Sequence, residues 1–411
     1  MAFFKSKNKK KTEVGYTNSE YDNADIKPEL AADGSDSGVE AEEHSPYPFD
    51  VNKISIIRKP ISLFNIVRRL QRGTIRAANI QRNDDLWDQG KKSRLIESLM
   101  LKIPLPLFYA ATDKDDVWSI VDGLQRISSI RQYILEKSYL LKDLEYLKQL
   151  EGKDFASLPD DMKARIEETE LDFVIISSDS PPEIQRNIFK RLNQGGVKLE
   201  DQEIRHALYH GPSTDLLKDL ANTKEFLDAT NDKDDSRMDG QELVLHYLAF
   251  SMLGVSEYRK GERMDPFLSD TMMAINQISN GVGCDDVKLP NNRTIHNSNI
   301  IELKNNFILA MKRAYQLFGD CAFRITSPLK PAKTQINRSL FEVWSVLLSK
   351  MPEPQFKILY KKRNALYKKL DYEFADNTRL PRKSISSDTM NNVKLRHGII
   401  GDIVKEIIGE K

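Results

Sequence analysis

The spacing of apolar residues changes character along this chain, and the changes mark its elements. Early on, short runs dominate. Lys53-Ile-Ser-Ile-Ile-Arg58 has the β-branched content of a strand, and Thr74-Ile-Arg-Ala-Ala-Asn79 reads as a second. Leu107-Phe-Tyr-Ala-Ala-Thr112 and Val117-Trp-Ser-Ile-Val121 form the arms of a predicted hairpin closed by Asp113-Lys-Asp-Asp116. Helices are predicted between these runs. One starts at Pro60 and reaches about Leu70; another covers Lys91 to Leu101, with Leu95, Ile96, Leu99 and Met100 on one face and Pro104 and Pro106 ending it.

From Gly123 the period becomes helical, because Leu124, Ile127, Ile130 and Ile134 recur on one face. Val121-Asp-Gly-Leu-Gln-Arg126 is therefore a strand-to-helix junction. A further strand is predicted at Phe173-Val-Ile-Ile-Ser-Ser178. Ser180 is expected to cap, and Glu183 to close the capping box of, a helix reaching about Leu192 and stopped by Gly195 and Gly196. Beyond Leu199 the long segments are helix-periodic: 200 to 210, 239 to 253, 300 to 317, 338 to 350 and 354 to 370. No internal repeat is evident. The fold class is α+β, with a mixed unit over residues 48–210 and an α-helical unit over 211–411. Residues 1–47, a lysine cluster followed by an acidic stretch without periodicity, are expected to be a disordered tail.

Composition narrows the classes. At 40% hydrophobic and 30% charged residues the chain is an ordinary globular one, and no apolar run approaches the ~20 residues needed to cross a bilayer. The lysines after Phe4 are not followed by an apolar stretch, so no secretory leader is read there, and Cys284 and Cys321 are too far apart for a disulfide framework or zinc cluster. A cytoplasmic setting is expected. A formal net charge of +1 means that any DNA contact must come from local patches. One is Arg58, Lys59, Arg68, Arg69, Arg72, Arg76 and Arg82. Another is the run from Lys357 to Lys369, with Lys361, Lys362, Arg363, Lys368 and Lys369 as its DNA-binding candidates. A solvated helix face explains such runs better.

Chemistry concentrates at Asp122 to Arg126. A strand ending in Asp-Gly at a helix start leaves unpaired backbone N–H groups and the positive end of the helix dipole at one spot, which suits an anion. Arg126 in the first turn has a fork matching phosphate, Gly123 permits close backbone approach, and Asp122 is placed to hold a magnesium-bound water or to orient Arg126. The structural account, in which Asp122 caps the helix and Arg126 pairs with it, explains the same residues. His206 and His210, four apart, have the spacing of a metal pair but lack a third ligand nearby, so packing explains them better. A Walker phosphate loop is absent.

Several segments resemble, in the same order, the ParB-like domain found at the N-terminus of GmrSD-type restriction enzymes. Gln81-Arg82 with Trp87 resembles its entry motif, with one extra residue before the tryptophan. Arg94-Leu-Ile-Glu-Ser-Leu99 and Ile103-Pro-Leu-Pro106 resemble its arginine-to-serine helix and proline exit. Val121-Asp-Gly-Leu-Gln-Arg126 resembles its aspartate-glycine-glutamine-glutamine-arginine signature, with Leu124 in place of the first glutamine. Phe189-Lys-Arg-Leu-Asn193, Gly195-Gly196 and Leu199-x-x-x-Glu203-Ile-Arg205 resemble its later elements. The resemblance covers about residues 53–210, with a weaker continuation at Asn337-Arg-Ser-Leu-Phe341. It implies a fold related to ParB and sulfiredoxin, nucleoside triphosphate (NTP) binding and in some members hydrolysis assisted by Mg²⁺, and a role in defence against foreign or modified DNA. Asp122, Gln125 and Arg126 are then the candidate catalytic residues, and Gln81, Arg82, Arg94, Gly123 and Asn193 the nucleotide-binding ones. NTP, DNA and other defence-system subunits are the implied partners. A nucleotide-switched module without catalysis and a nuclease built on the ParB-like unit are the alternatives. No histidine arrangement of a C-terminal HNH nuclease is found.

Overall fold

The short runs and the helical segments map onto two kinds of packing. In a computed structural model, the described residues are 54–76, 87–113, 115–192, 200–231, 235, 237–283, 286–331, 334–374, 380, 385 and 387–409. The chain divides into Met1–Pro48 and Phe49–Lys411, and every described residue belongs to the second unit. The expected tail lies outside the described residues.

Strands β1 (Ile56–Ser62), β2 (Ile75–Arg76), β3 (Phe108–Thr112), β4 (Trp118–Asp122) and β5 (Glu170–Ile176) form one sheet in the order β1-β5-β3-β4-β2. β3 and β4 make the predicted antiparallel hairpin, while β5 runs parallel to β3 and β2 parallel to β4. Alternation along the strands sends Phe108, Ala110, Trp118, Ile120, Phe173 and Ile175 to one face. There they pack with α1 (Leu63–Gln71), α2 (Gln89–Met100), α3 (Leu124–Arg131) and α4 (Asp160–Glu168). The rings of Phe108 and Phe173 stack at 5.0 Å between centroids at the centre of this layer. Ala111, Val121 and Ile176 face the other way, onto Phe189 of α5 (Pro182–Leu192) and Ile204 of α6 (Asp201–Leu208). The fold class is thus α+β, as the two periodicities require.

After α6 the described chain is helical: α7 (Pro212–Ala221), α8 (Lys224–Thr230), α9 (Asp239–Met252), α10 (Met264–Ser279), α11 (Ile300–Phe318), α12 (Arg338–Lys350), α13 (Glu353–Lys361), α14 (Arg363–Glu373) and α15 (Met390–Ile408). Every residue of α9 from Gly240 to Met252 is buried, so it is the central helix with neighbours on all sides. The core runs from Tyr209 to Ile407 and is separate from the layer beneath the sheet.

Three local expectations are corrected. Pro60 does not start α1; it sits within β1, an edge strand, where its missing N–H costs no ladder bond. Ser180 does not cap α5. Its Oγ accepts from the Ser55 N–H (2.9 Å) and donates to the Ser55 carbonyl, tying the start of β1 to the end of β5, while Pro181 supplies the first carbonyl of the helix. The helix predicted over 354–370 breaks at Lys362, whose Nζ donates to the Ile407 carbonyl at the end of α15 (2.8 Å).

Candidate functional site at the end of the central hairpin

Gly123 is where β4 becomes α3, and its backbone carries out the change. Its φ is +92°, a left-handed conformation that suits glycine, and a Cβ there would collide with the Phe108 ring and lie 3.1 Å from the Arg126 Nη2. Lacking a side chain, Gly123 offers no cap. Ile127 N–H closes onto the Gly123 carbonyl at 2.9 Å, and the N–H groups of the three residues before it have no intrahelical acceptor by geometry. The positive end of α3 therefore sits beside the last residue of a central strand.

Arg126 is buried, and its guanidinium is largely spent within the protein. Nη1 donates to the Pro106 carbonyl, and Nη2 donates to the Leu107 carbonyl (3.1 Å) and to Asp122 Oδ2 (3.0 Å). The plane lies over the Phe108 ring, 4.1 Å from its centroid, a cation–π contact. Burial lowers the pKa of Arg126 and the Asp122 charge opposes that shift. Asp122, by contrast, keeps 45% of its side chain exposed. The order of dependence expected from the sequence, with Asp122 orienting Arg126, is reversed: Arg126 is the anchored member, and it fixes the direction of Asp122. Gln125 is half-buried, and Leu124 packs against the layer beneath the sheet.

The other predicted residues divide clearly. Gln81, Arg82 and Asn193 lie outside the described residues. Arg94 is exposed on α2 and makes no hydrogen bond or ion pair with Asp122 or Arg126; it contributes to lowering the pKa of Asp88, behind the hydrogen bond from Lys91. Its motif neighbour Glu97 carries more structure. Buried, that carboxylate accepts from the N–H groups of Glu145 (2.9 Å), Tyr146 (2.7 Å) and Leu147 (2.7 Å), pinning the loop after α3. Glu97 falls off the predicted face of Leu95, Ile96, Leu99 and Met100, so the local period gave no signal for it.

Glu203 and Arg205 are also structural. Glu203 closes a capping box on the Glu200 N–H (2.7 Å) and pairs with Arg237 (2.9 Å). Arg205, 1% exposed, bridges Glu242 of α9 and Asp265 of α10, each at 2.6 Å, and so fastens α6 to the helical core. The His206 and His210 rings meet edge-to-face at 5.7 Å, and among the described residues no group of three or more His, Cys, Asp or Glu is placed to hold a metal.

The basic run near the C-terminus is partly consumed. Lys362 is bonded to Ile407, Lys369 pairs with Glu406, and Arg363 lies 4.5 Å over the Tyr360 ring. Lys361 and Lys368 remain exposed. No described helix is long and apolar enough to cross a membrane.

With this geometry in place, comparison with known families adds one finding. Residues 63–210 match the family model of the GmrSD restriction endonuclease, N-terminal domain. The matched span begins with the first residue of α1, runs through the Asp122–Arg126 junction and ends just beyond α6, on the segment its motifs singled out. No curated protein and no solved structure matches the chain.

Proposed function

We propose that this protein acts in restriction-type defence against foreign or modified DNA, and that the Asp122–Arg126 junction is the seat of a nucleoside triphosphate. The family match supports the first part. One observation carries the second: a helix start at Gly123, too tight for a Cβ, stands beside a half-exposed carboxylate whose direction is set by a buried arginine.

The division of labour follows from burial. Backbone N–H groups of the first turn of α3 meet phosphate oxygens, Gly123 lets them approach, and Arg126 is a positioning residue that holds Asp122. Gln81, Arg82 and Asn193 complete the nucleotide site in this reading. Asp122 suits Mg²⁺, because that ion keeps several waters and needs only one or two protein carboxylates when it arrives on phosphates. The bound ion would neutralise charge on the transferring phosphate. Gln125 is the residue proposed to orient water for hydrolysis. Leu124, replacing a glutamine of the signature, removes an amide from that turn, so binding is expected to be the more robust of the two activities. Nucleotide binding or turnover then gates DNA engagement, with other defence-system subunits as further partners.

Titration calorimetry with four NTPs, with and without Mg²⁺, tests the reading, alongside a phosphate-release assay. At least one NTP is expected to bind in a Mg²⁺-dependent manner, and Asp122→Asn is expected to lose that dependence, with some fall in thermal midpoint because buried Arg126 loses its charge partner. Arg126→Ala should lose binding together with some stability. Absence of binding by every NTP would sink the proposal, and binding without phosphate release would reduce it to a nucleotide switch.

A further inference from the structure

The cluster of basic residues in the first half of the fold looks uniform in sequence, but the structure sorts it into two sets. Three members are engaged by acids: Arg58 with Asp172 at 3.5 Å, Arg69 with Asp116 at 2.5 Å, and Arg76 with Asp113 at 3.4 Å. Lys59, Arg68 and Arg72 are exposed and form no ion pair among the described residues, and all three line one groove of about 520 Å³ between β1 and α1. Arg82 lies outside the described residues.

The groove has a rigid wall. Leu63 and Ile66 of α1 are buried, which turns Asn65, Arg68 and Arg72 outward at spacings of three and four residues, one stripe of the helix. At a rise of about 1.5 Å per residue, the two arginines stand about 6 Å apart along the axis. Arg69, between them, is locked by Asp116 and lies 4.2 Å over the Trp118 ring, so the helix is held at that end. Ser62, with Asn65 donating to its Oγ at 3.0 Å, and Thr74 add small polar groups. The lining also carries acids, of which Asp116 is taken up by Arg69. Glu170 pairs across the strands with Ser62 at the start of α1, and Asp115 and Asp116 belong to the β3–β4 turn.

We infer that this groove takes the phosphodiester backbone of a nucleic acid, with Lys59, Arg68 and Arg72 contacting phosphates. Backbone contacts of this kind orient without reading bases, so unmodified duplexes of unrelated sequence are suitable probes. The inference does not depend on nucleotide binding at Asp122.

Fluorescence anisotropy of the full chain with a short duplex DNA, over a series of salt concentrations, tests it. Each phosphate neutralised contributes about 0.9 to the slope of log affinity against log salt. The triple variant Lys59→Ala/Arg68→Ala/Arg72→Ala is therefore expected to flatten the slope by about 2–3 and to bind more weakly on every duplex. Its thermal midpoint should be unchanged, since the removed groups are exposed and unpaired. An unchanged slope in the triple variant, or no DNA binding by the parent protein at low salt, would overturn the inference. Failure of NTP binding in calorimetry would leave this result untouched, so the two readings fail separately.

Discussion

Arg126 and Arg396 are both buried guanidiniums, yet they are satisfied in different ways. Arg396, on α15, forks onto Glu342 of α12, with Nη2 3.1 and 3.0 Å from the two carboxylate oxygens, and its Nη1 donates to the Ser387 carbonyl. The same carboxylate meets His246 Nδ1 at 3.3 Å and His397 Nε2 at 2.9 Å, and it is wholly buried. Burial pushes the Glu342 carboxyl up, but Arg396 and the two histidines override it and hold it well below the usual carboxylate range. Arg126 donates instead to two backbone carbonyls and to one half-exposed aspartate. In the first arrangement Asp388, half-exposed, adds a longer contact to Arg396 at 3.6 Å, but the main partner, Glu342, is wholly buried and staples helices. In the second, the close carboxylate partner itself is half-exposed at 3.0 Å, which is why chemistry is proposed there.

The sharpest way to test the closed centre is Glu342→Gln. It removes the buried partner and leaves Arg396 only the half-exposed Asp388 carboxylate, 3.6 Å away; losing a buried partner of this kind costs about 3–5 kcal/mol. Denaturant unfolding should show it, and a cost below about 1 kcal/mol would mean that the network is solvated like a surface pair.

A second test uses pH on the seam between the two regions. Burial, with help from His210 and Lys218, pushes His206 down to about 4 from 6.5. Its folded pKa is depressed, so the unfolded chain binds the proton first, and stability is lost as pH falls from 6.5 towards 4. A shift of that size corresponds to about 3 kcal/mol. His206→Gln should remove that part of the acid sensitivity in a series of unfolding curves, and an unaltered pH profile would count against a buried neutral imidazole.

At the open site, Arg126→Met should cost about 1–3 kcal/mol, because the Pro106 and Leu107 carbonyls lose their donor. Gly123→Ala should cost a similar amount, about 1–3 kcal/mol, from the left-handed backbone and the Phe108 clash. If Gly123→Ala proved neutral by thermal unfolding, the tight turn would not be the site's foundation. The smallest effect is expected for Lys361→Ala/Lys368→Ala, within about 0.5 kcal/mol by the same measurement, since neither lysine is tied to the fold.

Much of the fold was legible because period alone separates strands from helices. The β3–β4 hairpin and α12, predicted at 338–350 and found at Arg338–Lys350, both follow from local pattern. Helices α10 and α15 were not singled out. Pro266 in the first turn of one, and Gly398 and Gly401 within the other, weaken the local signal, although the first-turn proline costs no helical bond.

By itself the sequence determined that a strand must turn into a helix at Asp122-Gly-Leu-Gln-Arg126, since the apolar period changes there and glycine alone tolerates the turn. It could not say which way Arg126 points. That depended on the Pro106 and Leu107 carbonyls and the Phe108 ring, brought to it by the β3–β4 pairing. The same holds for the basic cluster: composition supplied seven cations, and tertiary contacts decided that three were paired and three left to face one groove. Local pattern records backbone preference, whereas the partner of a long charged side chain is a question of which distant carboxylate or carbonyl the fold delivers.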